Sequence, residues 1–276
     1  MLLAATAASL LPLPHTHARG FASAAVDYQS GAGYATDWQT GAGYTNVGAA
    51  LGPPARVTVD PDPQFGGTFP VDPFSPPYLR TQLLSIGQGG SVTLELGPPA
   101  LNDPAHRFGI DFIVFGSTGF LITNGNFTGG GITDGSLLGA QTGTTRVEVS
   151  QDGAVFYELA PSLAPVFDSY LPTDGAGDFF TAANPLLGEA DFNGRDLGAI
   201  RGRYAGSAGG TGYDLAWARD AQGNPVPLDS ASHVRLSVLS GHAEVDAVVV
   251  VPEPDSATLL LVSLLGLAAR GSRPRR

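Results

Sequence analysis

The sequence predicts an all-β body, a two-sheet antiparallel β-sandwich, and three observations carry that expectation. Of 276 residues, 38 are Gly and 22 are Pro, yet 43% are hydrophobic, a combination that excludes both a helix bundle and a disordered chain. Lysine is absent and 19 of the 25 acidic residues are Asp; Asp favours turns through its short carboxylate, where Glu and Lys would favour solvated helices. The middle of the chain is a succession of short alternating or wholly apolar segments separated by Gly, Pro, Asn and Asp, which are strand and turn signals. With no cysteine, thiol catalysis, Cys-based zinc sites and a disulfide framework are excluded, and a chain of this length buries its core without them.

The elements follow in chain order. Leu2 to Leu13 is apolar and leads to Ala22-Ser23-Ala24, with small residues at the two positions a signal peptidase reads, so residues 1–24 are expected to form a signal helix removed by cleavage after Ala24. The basic residue that usually precedes such a stretch is missing, since Met1 is followed at once by Leu2 and Leu3. Ser30 to Tyr34 and Thr40 to Tyr44 share the ending Gly-Ala-Gly-Tyr at a spacing of ten; their tyrosines either pack on the turns or present a stacking surface for sugars. Four prolines between Pro70 and Pro77 read as an extended arm crossing the surface.

Val92, Leu94 and Leu96 alternate with Thr93 and Glu95, Val147 and Val149 with Glu148 and Ser150, and Val234, Leu236 and Val238 with Arg235 and Ser237, so each segment has one buried face. Ile110 to Phe115 and Val245 to Val251 are apolar almost throughout and belong in the middle of the sandwich. Gln151-Asp152-Gly153 joins Arg146–Ser150 to Ala154–Leu159 as a hairpin turn whose Gly takes positive φ. Ala190 to Tyr204 carries apolar residues at helical spacing and is expected to form one short helix near 190–204.

The C-terminal segment has three parts in order: Pro252-Glu253-Pro254, an apolar stretch from Ala257 to Ala269, and Arg270, Arg273, Arg275 and Arg276. Thirteen apolar residues make a helix of about 20 Å, short of the roughly 30 Å hydrocarbon core, and the terminal arginines would stay on the cytoplasmic side. The expected state is transient membrane insertion with the body outside. This arrangement resembles the PEP-CTERM sorting signal of bacterial exported proteins. The resemblance implies that residues 252–276 are an address read near Pro252, Glu253 and Pro254 by an exosortase-type processing enzyme, leaving residues 25–251 as the body.

The body resembles a group of exported PEP-CTERM proteins through Leu51-Gly-Pro-Pro-Ala-Arg56, Pro73-Phe-Ser-Pro-Pro-Tyr78, Gly109-Ile-Asp-Phe-Ile-Val-Phe-Gly116, Gly209-Gly-Thr-Gly-Tyr-Asp-Leu-Ala216 and Glu244-Val-Asp-Ala-Val248. That group is similar to the jelly-roll sandwiches of galactose-binding-like and discoidin-like domains, and the resemblance carries over no catalytic residue. Together these expectations describe a monomeric protein exported to the cell envelope, cell surface or extracellular matrix of a bacterium, a non-catalytic binding or structural component with extracellular polysaccharide as a partner. The alternative is a secreted glycan-active enzyme with two working carboxylates in a cleft. Between Ala25 and Val251 nine Arg face 23 acidic residues, which excludes nucleic acid as a partner.

No cofactor is required by these motifs, but Asp111, Asp214 and Asp246 lie within or beside apolar strands, where an unpaired carboxylate costs several kcal/mol. Either a calcium ion gathers Asp111, Asp214, Glu244 and Asp246 with loop carbonyls of Gly209 to Gly212, or these carboxylates accept backbone N–H bonds or pair with Arg107, Arg146 or Arg235. His106, His233 and His242 lack metal-ligand spacing, so no zinc site is expected.

Overall fold

The computed structural model describes residues 20–60, 67–138, 143–168 and 170–253. The alternating segments are strands whose apolar side chains point into a common core, although Thr93 and Ser150 on the other side are buried too. Val92, Leu94 and Leu96 join Val147, Val149, Val234, Leu236 and Val238 in a single hydrophobic cluster, while Glu95 is exposed. The period of two that sets this sidedness is a property of the extended backbone.

Nine strands hydrogen-bond into one large curled antiparallel sheet. In chain order they are β1 (Gly20–Gln29), β2 (Ser91–Leu101), β3 (Phe112–Phe115), β4 (Thr145–Ser150), β5 (Tyr157–Leu159), β6 (Thr211–Tyr213), β7 (Ala218–Arg219), β8 (Ser230–Val238) and β9 (Ala247–Val250). Across the sheet they run β6-β3-β9-β1-β2-β8-β4-β5-β7. Among the described residues there are also four two-stranded pairs: Val57–Asp60 with Gly67–Pro70, Leu84–Gly87 with His242–Val245, Gly119–Phe120 with Leu137–Leu138, and Ile132–Thr133 with Arg195–Asp196. The all-β expectation holds at this level.

The two continuous apolar segments are buried on both sides. In β3, Phe112 and Val114 enter the main cluster, whereas Ile113 and Phe115 face a second one with Phe179, Ala182 and Ala208. Likewise β9 gives Val248 and Val250 to the first and Val249 to the second. A strand with no solvent face has no place for alternation, which is why these segments read as runs.

Three details differ from the sequence expectations. The 190–204 region is two short helices, α1 (Glu189–Phe192) and α2 (Leu197–Tyr204), because Gly194 at φ +72° turns the chain between them. Asp196 then caps α2 by accepting from Ala199 N–H at 2.8 Å. The β4–β5 hairpin does place Gly153 at φ +75°, but its return strand starts at Tyr157, since Asp152 holds the N–H groups of Ala154 and Val155 in the turn.

The third concerns the N-terminal boundary. Gly20 and Phe21 pair with Val250 and Val249, Phe21 and Ala22 pair with Gly97 and Leu96, and Ala22 is 1% exposed. Cleavage after Ala24 would cut inside β1, in the middle of the sheet. The small residues Ala22 and Ala24 sit in this strand, Ala22 packing into the core. The expected signal and sorting helices fall on residues 1–19 and 254–276, outside the described residues. Among the described residues no helix is long and apolar enough to cross a membrane.

Candidate functional site

Among the described residues one concavity is a groove of about 520 Å³. Its walls come from separate parts of the chain: Tyr44 at the end of the second Gly-Ala-Gly-Tyr copy, Phe69 on the Gly67–Pro70 strand, Phe74 to Tyr78 of the proline-rich segment, and Phe127 on an exposed loop. The arm does not simply cross the surface. Asp72 accepts from Phe74 N–H at 2.8 Å and bridges with Ser75, and this turn makes the segment one side of the groove. Tyr44 is buried and donates its hydroxyl to Tyr78 C=O at 2.8 Å. Tyr34 of the first copy instead packs its ring over Gly43, so the two tyrosines have different tasks.

Glu244 is the one carboxylate among the groove's lining residues. Its Oε2 accepts a short hydrogen bond from Ser117 Oγ, and Ser117 Oγ also lies 3.5 Å from Asp168 Oδ2. Asp168 is buried behind it, in the left-handed backbone region at φ +55° that Asp tolerates better than most residues. Its Oδ1 accepts from Ser117 and Thr118 N–H at 2.6 and 3.2 Å, and its Oδ2 accepts from Glu244 N–H at 2.8 Å. Gly116 permits this approach, since a Cβ there would meet Asp168 Oδ1 at 2.1 Å. Burial, and then the charge of Glu244, push the Asp168 carboxyl well above the ordinary range against the pull of those N–H groups. Burial also raises Glu244, opposed by the Ser117 bond and by His242.

The four residues considered for calcium do not share a ligation point. Glu244 faces the groove. Asp246 is 3% exposed and accepts from Ala55 N–H at 2.8 Å; burial pushes its pKa up to about 7, partly offset by that bond. Asp214 accepts from Ala216 N–H at 2.7 Å, and burial raises its pKa. Asp111, fully buried, accepts from Asp103 N–H at 3.2 Å and His106 Nδ1 at 2.8 Å through Oδ1, and from Leu215 N–H at 2.8 Å through Oδ2. Backbone N–H groups and the His106 ring, not the arginines, satisfy these strand carboxylates: Arg146 pairs with Glu158 and Arg235 with Glu148.

A second convergence of polar groups lies beside Asp111. Among the described residues, Asp103, His106 and Glu253 are the acidic or imidazole side chains whose ligand atoms all lie within 4.8 Å of one another. Burial opposes the charged form of His106, but the hydrogen bond and charge of Asp111, with Glu253 and Asp103, outweigh it and raise its pKa. Of the sorting triplet, Pro252 and Glu253 are described and line one shallow concavity with Pro98, Pro99 and Leu101; Pro254 falls outside the described residues. Trp38 is 80% exposed and Trp217 is half-buried against the core, and neither lines the groove.

Asp168 and Ser117 carried no signal in the sequence, because neither lies on a periodic segment and their convergence with Glu244 depends on long-range pairing. No protein-family model matches the chain, and no curated protein matches it significantly.

Proposed function

We propose that the chain is an exported component of a bacterial cell surface or extracellular matrix, a non-catalytic monomer that binds extracellular polysaccharide in the groove beside Glu244. The observation that carries this reading is the groove itself: Tyr44, Phe69, Phe74, Tyr78 and Phe127 offer ring surface on several sides, with a hydrogen-bonding carboxylate and hydroxyls among them. Flat apolar faces beside a few polar groups suit a sugar ring, which has apolar C–H faces and a polar equator. The body on which it sits is read as a jelly-roll-type sandwich of two sheets. Export and sorting rest on the sequence, where Pro252-Glu253-Pro254, a short apolar stretch and an arginine cluster follow in order.

Hydrolysis is the weaker reading. Two carboxylates must both reach the sugar in a glycosidase. Here Asp168 is buried and both of its oxygens are engaged by N–H groups, which leaves Glu244 alone to face a ligand.

Affinity electrophoresis through gels containing acidic, neutral and amino-sugar polysaccharides tests the binding. Phe127 is 76% exposed and Phe69 41%, so both can be truncated without opening the core. Retardation by at least one polysaccharide, weakened about tenfold in Phe127→Ala plus Phe69→Ala, is the expected result. Equal migration of wild type and double variant in every gel overturns it. For the sorting reading, alanines at Pro252, Glu253 and Pro254 should leave an uncleaved, membrane-retained protein in the producing bacterium. Normal processing of that variant refutes the assignment.

A further inference from the structure

The cluster of Asp103, His106 and Glu253 is a convergence of acceptors. Asp111 holds it together in two ways: its carboxylate takes the hydrogen of His106 Nδ1, and its backbone C=O accepts from Val251 N–H at 2.9 Å, which sets Glu253 two residues further along. A carboxylate oxygen accepts here, so Nδ1 carries the hydrogen, and in the neutral form of the ring the lone pair is on Nε2. His106 is 4% exposed, and Nε2 has no hydrogen-bond partner. That buried nitrogen is aimed at Glu253 Oε1, 3.7 Å away. The Asp103 carboxyl lies within hydrogen-bonding reach of Glu253, so a nitrogen lone pair and two carboxylates face one small space.

We propose that this space is a divalent-cation site of the zinc class, with His106 Nε2, Asp103 and Glu253 as ligands and Asp111 as the carboxylate that orients the imidazole. The donor set decides the metal class, since calcium takes oxygen alone while a buried imidazole with two carboxylates suits zinc. Ligand atoms on a tetrahedral zinc stand about 3.3 Å apart, so the observed 3.7 Å between Nε2 and Oε1 needs only a small contraction. The hydrogen bond from Nδ1 to a carboxylate is the usual outer support of a metal-bound histidine. Spacing could not reveal this site, because Asp103 and His106 sit in one turn while Glu253 arrives from the far end of the chain. Its consequence is structural: the ion would clamp residues 251–253 onto the 103–106 turn.

The test is zinc uptake by the purified full chain. After incubation with zinc chloride and dialysis, wild type should retain about one zinc ion per chain, and its melting temperature should rise by roughly 5–11 °C at a hundredfold excess over Kd. Glu253→Gln, at a half-buried position near the end of the described chain, leaves the core intact and should abolish both effects. His106→Gln should do the same, and Asp111→Asn should weaken affinity about 10- to 100-fold. His233→Gln, whose ring bonds to Ser232 Oγ elsewhere, should bind zinc as wild type does. Equal zinc retention in wild type and Glu253→Gln, no retention by folded wild type, or uptake of calcium in preference to zinc each overturns the proposal.

Discussion

Replacing Asp246 by Asn should remove a loss of stability that wild type suffers as pH rises from about 4 to 7. Asp246 is 3% exposed at the step from the His242–Val245 strand into β9, and its Oδ2 accepts from Ala55 N–H at 2.8 Å, a contact that the Asn Oδ1 can keep. Its pKa stands at about 7 in the folded protein against an ordinary 3.8. Below pH 3.8 the group is protonated in both states and contributes no difference. As pH rises toward 7 the unfolded chain loses this proton while the folded chain keeps it, so stability falls, and above 7 the loss is complete. The interval corresponds to on the order of 4 kcal/mol, with a slope of about 1.4 kcal/mol per pH unit inside the window. Urea unfolding of wild type and Asp246→Asn at half-unit steps from pH 4 to 8 measures it. The variant should gain on wild type steadily through the window and the gap should level off near pH 7.5. Because Asp168 and Glu244 are raised in the same sense, the difference between the two proteins is the quantity that counts. Parallel profiles would refute the claim that Asp246 is buried as its acid.

Three further expectations follow from particular contacts. A chain beginning at Ala25 lacks the pairing of Gly20 and Phe21 with β9 and the burial of Ala22, so it should unfold at least 3 kcal/mol more easily than one beginning at Gly20, by the same urea assay. Asp174 is 2% exposed and receives two hydrogen bonds from Arg201, at 2.8 and 2.9 Å; Arg201→Ala should cost about 2 kcal/mol, less than a fully buried pair because the arginine is 40% exposed. Tyr204 donates its buried hydroxyl to Pro172 C=O at 2.8 Å, so Tyr204→Phe should cost about 1 kcal/mol in thermal unfolding.

What could be read in the sequence was what the backbone period and local turn chemistry determine. Alternation at Val92 to Leu96 or Val234 to Val238 declares one buried face wherever the strand lies, and the positive φ of Gly153 follows from three adjacent residues. The order of strands does not work that way. β1 lies between β9 and β2, partners more than 60 residues away along the chain, and no local pattern announces that a segment resembling a cleavage site is a central strand. Small residues serve both purposes: a peptidase pocket and a tightly packed sheet each exclude bulk, so Ala22 and Ala24 fit either reading until pairing is known.

The carboxylates teach the same lesson in another form. Asp111 and Asp246 stood out because each interrupts an apolar run, and the cost of burying an unpaired carboxylate required a partner for each. That reasoning found the groups but not their partners, which are the N–H groups of Leu215 and Asp103 and the His106 ring in one case and the N–H of Ala55 in the other. Asp168, the most tightly held of them, interrupts no apolar strand and gave no signal. With Asp111, Asp246 and Asp168 engaged inside the fold, the groups placed to meet something new are Glu244 in the groove and the His106 nitrogen beside Asp103 and Glu253. Binding in this protein is therefore expected where the fold leaves a buried nitrogen without a hydrogen-bond partner or turns a carboxylate toward a groove.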